Sequence, residues 1–415
     1  MAEQFRTTEE LTAAVADADF DRPPAVVANA HITGLSVARA LSRADVPVIA
    51  VDRSDDGVAP PSSAVDFAGE IAYPLDDPEG FRTDLAAVAD AAGGEVVPFG
   101  CMDEWVHAFA DAGDLDGVTL PFGNHEGVLD KDALYRRAEA LGVPYPETYR
   151  LWETDLHAAA AELGYPLVVK PARKREFEEA VGTNVVEVDD REEFEAIVAE
   201  AREHDVQVMA QESVDVKVGA DASLASYVPE SGAPLSVVGN AAVRFPRGFG
   251  TSCLVETADE PTVEQGALAV IEDAGYHGIS EAEFVYDRSR EEYVLLDVNT
   301  RPWKWISMPV QAGANLPLAA YGDAVADADR PAGADYDPDA VGDAKWVYLR
   351  DYLELLATDE AFWDVLGGGE WRALVSGAFE DGASLTTGVY RPSDPAPTAH
   401  LLDVTFSGRE YYCSC

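Results

Sequence analysis

Between His277 and Trp305 the sequence HGISEAEFVYDRSREEYVLLDVNTRPWKW specifies a hairpin and loads one of its faces with charge. Glu281 to Tyr286 and Tyr293 to Asn299 are rich in β-branched and aromatic residues, and the polar run Asp287 to Glu292 predicts the turn between them. Folding about Arg290 sets Glu283 opposite Asp297. Alternation of side chains then puts Asp297, Asn299 and Arg301 on one face and Val294, Leu296 and Val298 on the other. Two carboxylates and an amide oxygen converge. Hard oxygen donors of this kind suit Mg²⁺ (or Mn²⁺), which takes one or two carboxylates and completes its shell with nucleotide phosphates. On an exposed hairpin the same charges would only pair with one another, at little gain. The remaining segments have to decide between these readings.

The hairpin resembles the metal-binding hairpin of the ATP-grasp superfamily, where one strand carries Glu-Phe and the next Glu-x-Asn-x-Arg. The matching residues are Glu283-Phe284 and Asp297-Val298-Asn299-Thr300-Arg301. Asp297 stands where the superfamily usually has Glu, so its reach is shorter by one methylene. Other segments carry the same resemblance, in the expected order, over roughly residues 24 to 325. Asp130-Lys131-Asp132 opens a helix that stops at Gly142 before Val-Pro-Tyr-Pro, similar to the entry of an ATP-grasp domain. The resemblance implies that Lys131 reaches the nucleotide phosphates; a lysine in a first helical turn opposes the helix dipole and is poorly explained by stability alone. Gly164-Tyr-Pro-Leu-Val-Val-Lys170-Pro171 is similar to the superfamily's ATP-binding strand, and a lysine ending an apolar strand offers phosphate a fixed point charge.

By the same resemblance Gln211, Glu212 and Val214 form the hinge that holds adenine's amino edge. Asp215 or Asp221 would take the ribose hydroxyls, and spacing does not choose between them. The loop from Ala172 to Asn184, which would close over the phosphates, has one glycine, Gly182. Its Arg173, Lys174 and Arg175 either clamp phosphate or pair with Glu176, Glu178 and Glu179. Arg244-Phe-Pro-Arg247-Gly-Phe-Gly and Asp394-Pro-Ala-Pro look like the carboxylate-amine ligases that include D-aspartate ligase. That resemblance implies a reaction in which ATP phosphorylates a carboxylate and an amine displaces the phosphate, with Arg244, Arg247 and Arg301 as the catalytic cations. Arginine's planar fork fits the oxygens of carboxylate and acyl phosphate. The expected cofactors are ATP and Mg²⁺, and the expected partners are a small carboxylate and a small amine, with a homodimer allowed.

Composition narrows the field further. Lys plus Arg is 29 against 77 Asp plus Glu, a formal net charge of −48 spread along a chain that is 47% hydrophobic. Such a balance is neither a disordered acidic tail nor a charge block, and it resembles a halophile's solvated surface. Its field repels nucleic acid and anionic membranes, so neither is an expected partner. Only six lysines occur, which raises the functional weight of Lys131 and Lys170. Cys101, Cys253, Cys413 and Cys415 have no metal-binding spacing, and the start of the chain lacks a signal peptide's basic and apolar regions. A cytoplasmic protein with reduced thiols is expected.

The expected organisation is α/β: an acidic arm over 1–22, a Rossmann-like parallel-sheet domain over 23–128 similar to the pre-ATP-grasp domain, an ATP-grasp domain over 129–328, and a C-terminal extension over 329–415. In the first domain, strand 24–29, a helix from Val37 to Asp45 and strand 47–52 ending on Asp52 also invite a dinucleotide-binding reading, hence an NAD-dependent oxidoreductase. The turn holds only Gly34 where that fingerprint needs three glycines. Gly100 to Asp103, at a strand's carboxyl end, serves either as a ligand-binding edge or as a helix cap at Asp103. A non-catalytic nucleotide-binding protein of the same superfamily is the other alternative.

Overall fold

The computed structural model describes residues 5–172, 185–246, 250–382 and 384–406. Three sheets organise it. The first is parallel, with strands β1 (Ala25–Ala28), β2 (Val48–Asp52), β3 (Phe67–Glu70) and β4 (Val97–Gly100) in the order β3-β2-β1-β4. The second is antiparallel, with β5 (Thr148–Arg150), β6 (Leu167–Pro171), β7 (Val186–Val188) and β8 (Val208–Glu212) in the order β5-β8-β6-β7. The third has seven strands in the order β13-β12-β9-β10-β11-β14-β15. These are β9 (Ala222–Val228), β10 (Leu235–Phe245), β11 (Thr251–Thr257), β12 (Gly278–Asp287), β13 (Glu292–Asn299), β14 (Lys345–Val347) and β15 (Leu385–Thr387).

Both faces of the first sheet are covered, as a parallel sheet requires. Ala25 and Val27 join one core, shared with Trp303, Trp305, Trp346 and Leu401, while Val26 and Ala28 join another with Phe81, Trp105 and Phe109. Helices α1 (Thr8–Ala16), α2 (Ile32–Ser42), α3 (Pro78–Ala91) and α4 (Asp103–Asp111) surround it. The stretch expected to be an acidic arm is therefore partly a helix. Thr7 and Glu10 form a reciprocal capping box, and Leu11 and Val15 are fully buried. Thr-x-x-Glu ahead of Leu11 was the available signal.

Helix α2 starts and ends earlier than the expected Val37 to Asp45, and every residue from Ile32 to Leu41 is buried. Gly34 explains its close seat on the sheet: an added Cβ would lie 2.3 Å from the Asn29 carbonyl oxygen. Asn29 itself turns the chain with a φ of 66°. Asp52 is not free for a ribose, as a dinucleotide site would need. It is buried, accepts from the backbone N–H of Ala30 at 2.6 Å and of Arg53 at 2.8 Å, and stands 3.8 Å from His31 Nε2.

Helices α5 (Glu126–Leu129) and α6 (Lys131–Leu141) lead out of this unit. Asp130 caps α6 through Asp132 and Ala133 N–H, and Gly142 ends it at a φ of 70°. The second sheet packs on α7 (Leu156–Leu163) and α8 (Arg191–Glu203) around its own small core of Leu167, Val169, Phe194 and Val208. Helix α9 (Pro261–Asp273) covers the third sheet, and α10 (Ser307–Ala312) and α11 (Leu316–Ala324) pass between that sheet and α2. The segment from residue 329 onward does more than pack on the outside. It supplies β14, paired with β11, and β15, paired parallel with β14, along with α12 (Leu349–Thr358), α13 (Gly368–Ser376) and α14 (Ala396–Phe406). Among the described residues no helix is long and apolar enough to cross a membrane, and Cys101 and Cys253 are buried free thiols.

Candidate active site

Strands β12 and β13 pair antiparallel with Glu281 opposite Asn299 and Glu283 opposite Asp297, the register expected from alternation. Beyond that point the pairing shifts by one residue, so that Phe284 faces Leu295. This bulge corrects one expectation: Leu295 lies fully buried with Val298, whereas Leu296 is only partly buried and its carbonyl accepts from Tyr135 Oη at 2.9 Å. The extra residue brings Leu295 to the buried side, where Val294 is fully buried as well.

The polar face gathers as expected. Asn299 Nδ2 donates to Glu283 Oε1 at 2.7 Å and reaches Glu281 Oε2 at 3.5 Å. Lys131, buried at the start of α6, places Nζ 2.5 Å from Asp297 Oδ2. Burial disfavours its charge, but Asp297 more than offsets this and lifts its pKa above the ordinary lysine value. Arg301 Nε lies 2.5 Å from Asp103 Oδ1, which ties the hairpin to the carboxyl edge of the first sheet. Burial opposes the Arg301 charge too, while Asp103, Glu281 and Glu283 hold its pKa above the usual guanidinium value. Asp103 is thus an ion-pair partner, and Met102 takes the cap position of α4.

Sequence reasoning passed over Glu281. It sits two positions before Glu283 on the same strand face, which alternation alone would have revealed. Burial first, and Glu283 second, push its pKa up to about 8. Arg301 and Arg244 both act on it electrostatically, favouring its charged form. Arg244 is otherwise engaged: Nε donates to Asp221 Oδ2 at 2.6 Å and Nη1 to Gly250 O at 3.1 Å. That pairing consumes one oxygen of Asp221, expected at the ribose, and leaves its other oxygen, Oδ1, buried without a partner among the described residues. Arg247 and the loop residues 173–184 lie outside the described residues.

Lys170 ends β6 as expected and is only 8% exposed, with no ion pair or side-chain hydrogen bond among the described residues. A buried ammonium is costly without an anion. Gln211 is buried and donates to Thr148 Oγ1 at 2.9 Å. Glu212 departs from its expected adenine contact in one respect. Its Oε1 accepts from Glu147 N–H at 2.7 Å and from Arg290 Nη2, pinning the hairpin turn to the second sheet. Val214 lies just beyond, its carbonyl accepting from Val216 N–H at 2.9 Å.

Among the described residues no three His, Cys, Asp or Glu side chains are grouped as a metal cage. The expected ligands are instead two carboxylates and an amide, Glu283, Asp297 and Asn299. That hard oxygen set fits a divalent cation that keeps open positions for phosphate oxygens.

Compared with models of known protein families, the chain matches none. It is 26% identical over 229 residues to the D-alanine–D-alanine ligase of Kocuria rhizophila, covering 49% of this chain and 57% of that protein. It is 24% identical over 194 residues to that of Acinetobacter baumannii, covering 40% and 59%. The chain thus spans somewhat over half the length of these curated relatives. In structure it is similar to N5-carboxyaminoimidazole synthetase from Staphylococcus aureus complexed with ADP, with a TM-score of 0.54, 14% identity and coverage of 71% of this chain and 74% of that one. It is also similar to biotin carboxylase from Campylobacter jejuni, with a TM-score of 0.58, 15% identity and coverage of 77% and 73%. The fold is the ATP-grasp fold. In sequence, D-alanine–D-alanine ligases are among the curated relatives it resembles.

Proposed function

We propose that the chain is an ATP-dependent ligase that joins a carboxylate to an amine. The observation that carries this reading is the convergence of Lys131, Glu281, Glu283, Asp297, Asn299 and Arg301 on one face of the β12–β13 hairpin. In the reaction a carboxylate oxygen attacks the γ-phosphorus of ATP, giving an acyl phosphate and ADP. The amine nitrogen then attacks the carbonyl carbon, the C–O bond to phosphate breaks, and the nitrogen loses a proton. Such chemistry depends on positioning and charge neutralisation rather than on a protein nucleophile.

Each residue has a part in it. Lys170 and Lys131 supply positive charge to the phosphates, and Arg301, fixed by Asp103, faces the phosphoryl group as it transfers. Arg244 and Arg247 hold the substrate carboxylate. Glu283, Asp297 and Asn299 would hold Mg²⁺, which when bound neutralises charge on the β- and γ-phosphates. Gln211, Glu212 and Val214 line the adenine end, and Asp221 stands at the ribose. The D-alanine–D-alanine ligase relatives and the ADP-bound fold neighbour support amide formation from ATP. Within that class we place the chain beside the D-aspartate ligase group, on its Arg-Phe-Pro-Arg-Gly-Phe-Gly segment. We further propose a halophilic, cytoplasmic enzyme.

The test is to incubate the purified protein in molar KCl with ATP, Mg²⁺ and pooled acids and amines, following ADP release and new amides by mass spectrometry. An amide formed in step with ADP is expected. ATP binding with neither product would favour the non-catalytic reading instead.

A further inference from the structure

At the end of α2 that leads toward the amino-terminal edge of β2, away from the edge where β1 delivers Asn29, lies a small recess that opens to solvent. Ser36, Arg39, Arg43, Ser307, Thr387 and Arg391 line it. Three guanidinium groups line it in a chain of formal net charge −48. Two carboxylates are near, and neither fills the recess. Asp394 is saturated by protein donors: Arg39 Nε and Nη2 at 3.1 and 2.8 Å, Ser62 Oγ at 2.6 Å and Ser63 N–H at 3.0 Å. Glu380 accepts from Ser393 N–H and makes no ion pair with the three arginines among the described residues, acting on them only through space.

What remains is donor capacity without an acceptor. Arg391 gives Nη2 to Thr386 Oγ1 at 3.3 Å, but its Nε is buried with no partner among the described residues. Ser307, 6% exposed, likewise has a buried Oγ with no partner among the described residues. Arg43 reaches solvent and forms no ion pair or side-chain hydrogen bond among the described residues. Burial, with Arg39 and Arg43 adding to it, pulls Arg391 down to about 9, as a cation missing its counter-charge would be. Buried polar groups are normally satisfied, and guanidinium forks are shaped for planar or tetrahedral oxygens.

We infer that this recess is a second anion site, separate from the β12–β13 hairpin, which takes a small oxyanion, a carboxylate or phosphate group, between Arg43, Arg391 and Ser307. The recess is far smaller than an ordinary ligand pocket and is lined by the exposed Arg43, so its occupant is one free inorganic ion or one terminal oxyanion group seated at its open side. Its occupant would bridge α2, the start of α10 and the segment after β15, and so stabilise the joint between the first sheet and the C-terminal segment.

Isothermal titration with inorganic phosphate, and separately with succinate, at ionic strength held constant with KCl, tests this. One saturable site is expected for at least one of the two, weakened tenfold or more in Arg43→Gln and in Ser307→Ala. Binding should persist in the double variant Lys131→Ala/Lys170→Ala, which alters only the two lysines proposed at the nucleotide phosphates. Phosphate alone binding would assign a phosphate site, and succinate alone a carboxylate site. No saturable binding of either, affinity unchanged in both Arg43→Gln and Ser307→Ala, or loss in the double lysine variant would each overturn the assignment. Ser307→Ala removes only an unpartnered hydroxyl, so it keeps the test valid should Arg43→Gln fold poorly.

Discussion

Lys131 Nζ and Asp297 Oδ2 are 2.5 Å apart, so the side chain expected at the phosphates and one expected at the metal neutralise each other. In the free protein the pair should therefore act as one unit. Lys131→Met and Asp297→Asn are each expected to lower the melting temperature, and the double variant to recover part of the loss, with a coupling of roughly 1–3 kcal/mol. Additive losses in a denaturant double-mutant cycle would mean the contact carries no stability.

The oxygen ligands give a sharper functional contrast. Glu283→Gln and Asn299→Ala should reduce amide formation by at least a hundredfold while the melting temperature stays within a few degrees, since both sit on a preformed strand face. Asp297→Glu restores the superfamily's usual residue and should keep or raise activity. Wild-type turnover in Glu283→Gln, measured as ADP release with Mg²⁺ varied, would remove the metal assignment.

Arginine geometry separates substrate binding from chemistry. Arg244→Lys keeps the charge beside Asp221 and Glu281 but loses the fork. Its expected signature is a Michaelis constant for the carboxylate raised about tenfold, with that for ATP unchanged, corresponding to roughly 1.4 kcal/mol of binding. Arg301→Lys should instead lower turnover. If Arg244→Lys leaves the carboxylate's kinetics untouched, the acid is held elsewhere, and the carboxyl edge of the first sheet becomes the place to look.

Acid should unlock the C-terminal segment. Burial raises the Asp394 pKa, but hydrogen bonds from Ser62, Ser63 and Arg39 together with the Arg39 charge outweigh it and hold it below the ordinary aspartate value. A carboxylate depressed in the folded state contributes stability that is complete above its unfolded pKa and is lost as pH falls through the folded one. Asp394→Asn should therefore destabilise at neutral pH, by about 3–5 kcal/mol for a broken buried pair, and the gap to wild type should close below the ordinary aspartate pKa of 3.8. Melting curves from pH 7 to pH 3 decide it: a constant gap would mean the charge is irrelevant.

Charge also sets the salt response. With a formal charge of −48, self-repulsion is relieved as salt shortens the Debye length to about 3 Å at 1 M. The melting temperature should climb steadily from dilute buffer to molar KCl. A flat profile would remove the halophilic reading and the special weight given to scarce lysines.

The parts of the site that were legible in the sequence are those set by local periodicity. Opposition of Glu283 and Asp297 follows from strand alternation and a turn at Arg290, and both are seen. The bulge that buries Leu295 in place of Leu296 leaves no compositional mark, because one added residue changes the register without changing the residue types. Glu281 was readable and overlooked. The Arg301–Asp103 pair was not readable, since its members are 198 positions apart and meet only because β4 ends beside the hairpin. Asp52 misleads for a related reason: an acid ending a second strand suggests a ribose, yet the Ala30 N–H claims it first. Long-range closure, not propensity, decided each of these.

The seven-stranded sheet is finished by its last-made strand. While the chain is being translated, β11 presents an open edge until Lys345–Val347 emerge, and those residues in turn wait for Leu385–Thr387. Unpaired edges invite intermolecular pairing. The early-made helix α2 is affected as well, because Ile32 packs against the backbone at Gly388 and needs Trp346 and Leu401 to cover its surroundings. The amino-terminal unit therefore cannot complete its burial as it leaves the ribosome, in contrast to the usual vectorial order in which early domains fold first. Ribosome-stalled chains ending before residue 345 should accordingly be captured by chaperones and cleaved by protease, and those extended beyond residue 406 should not.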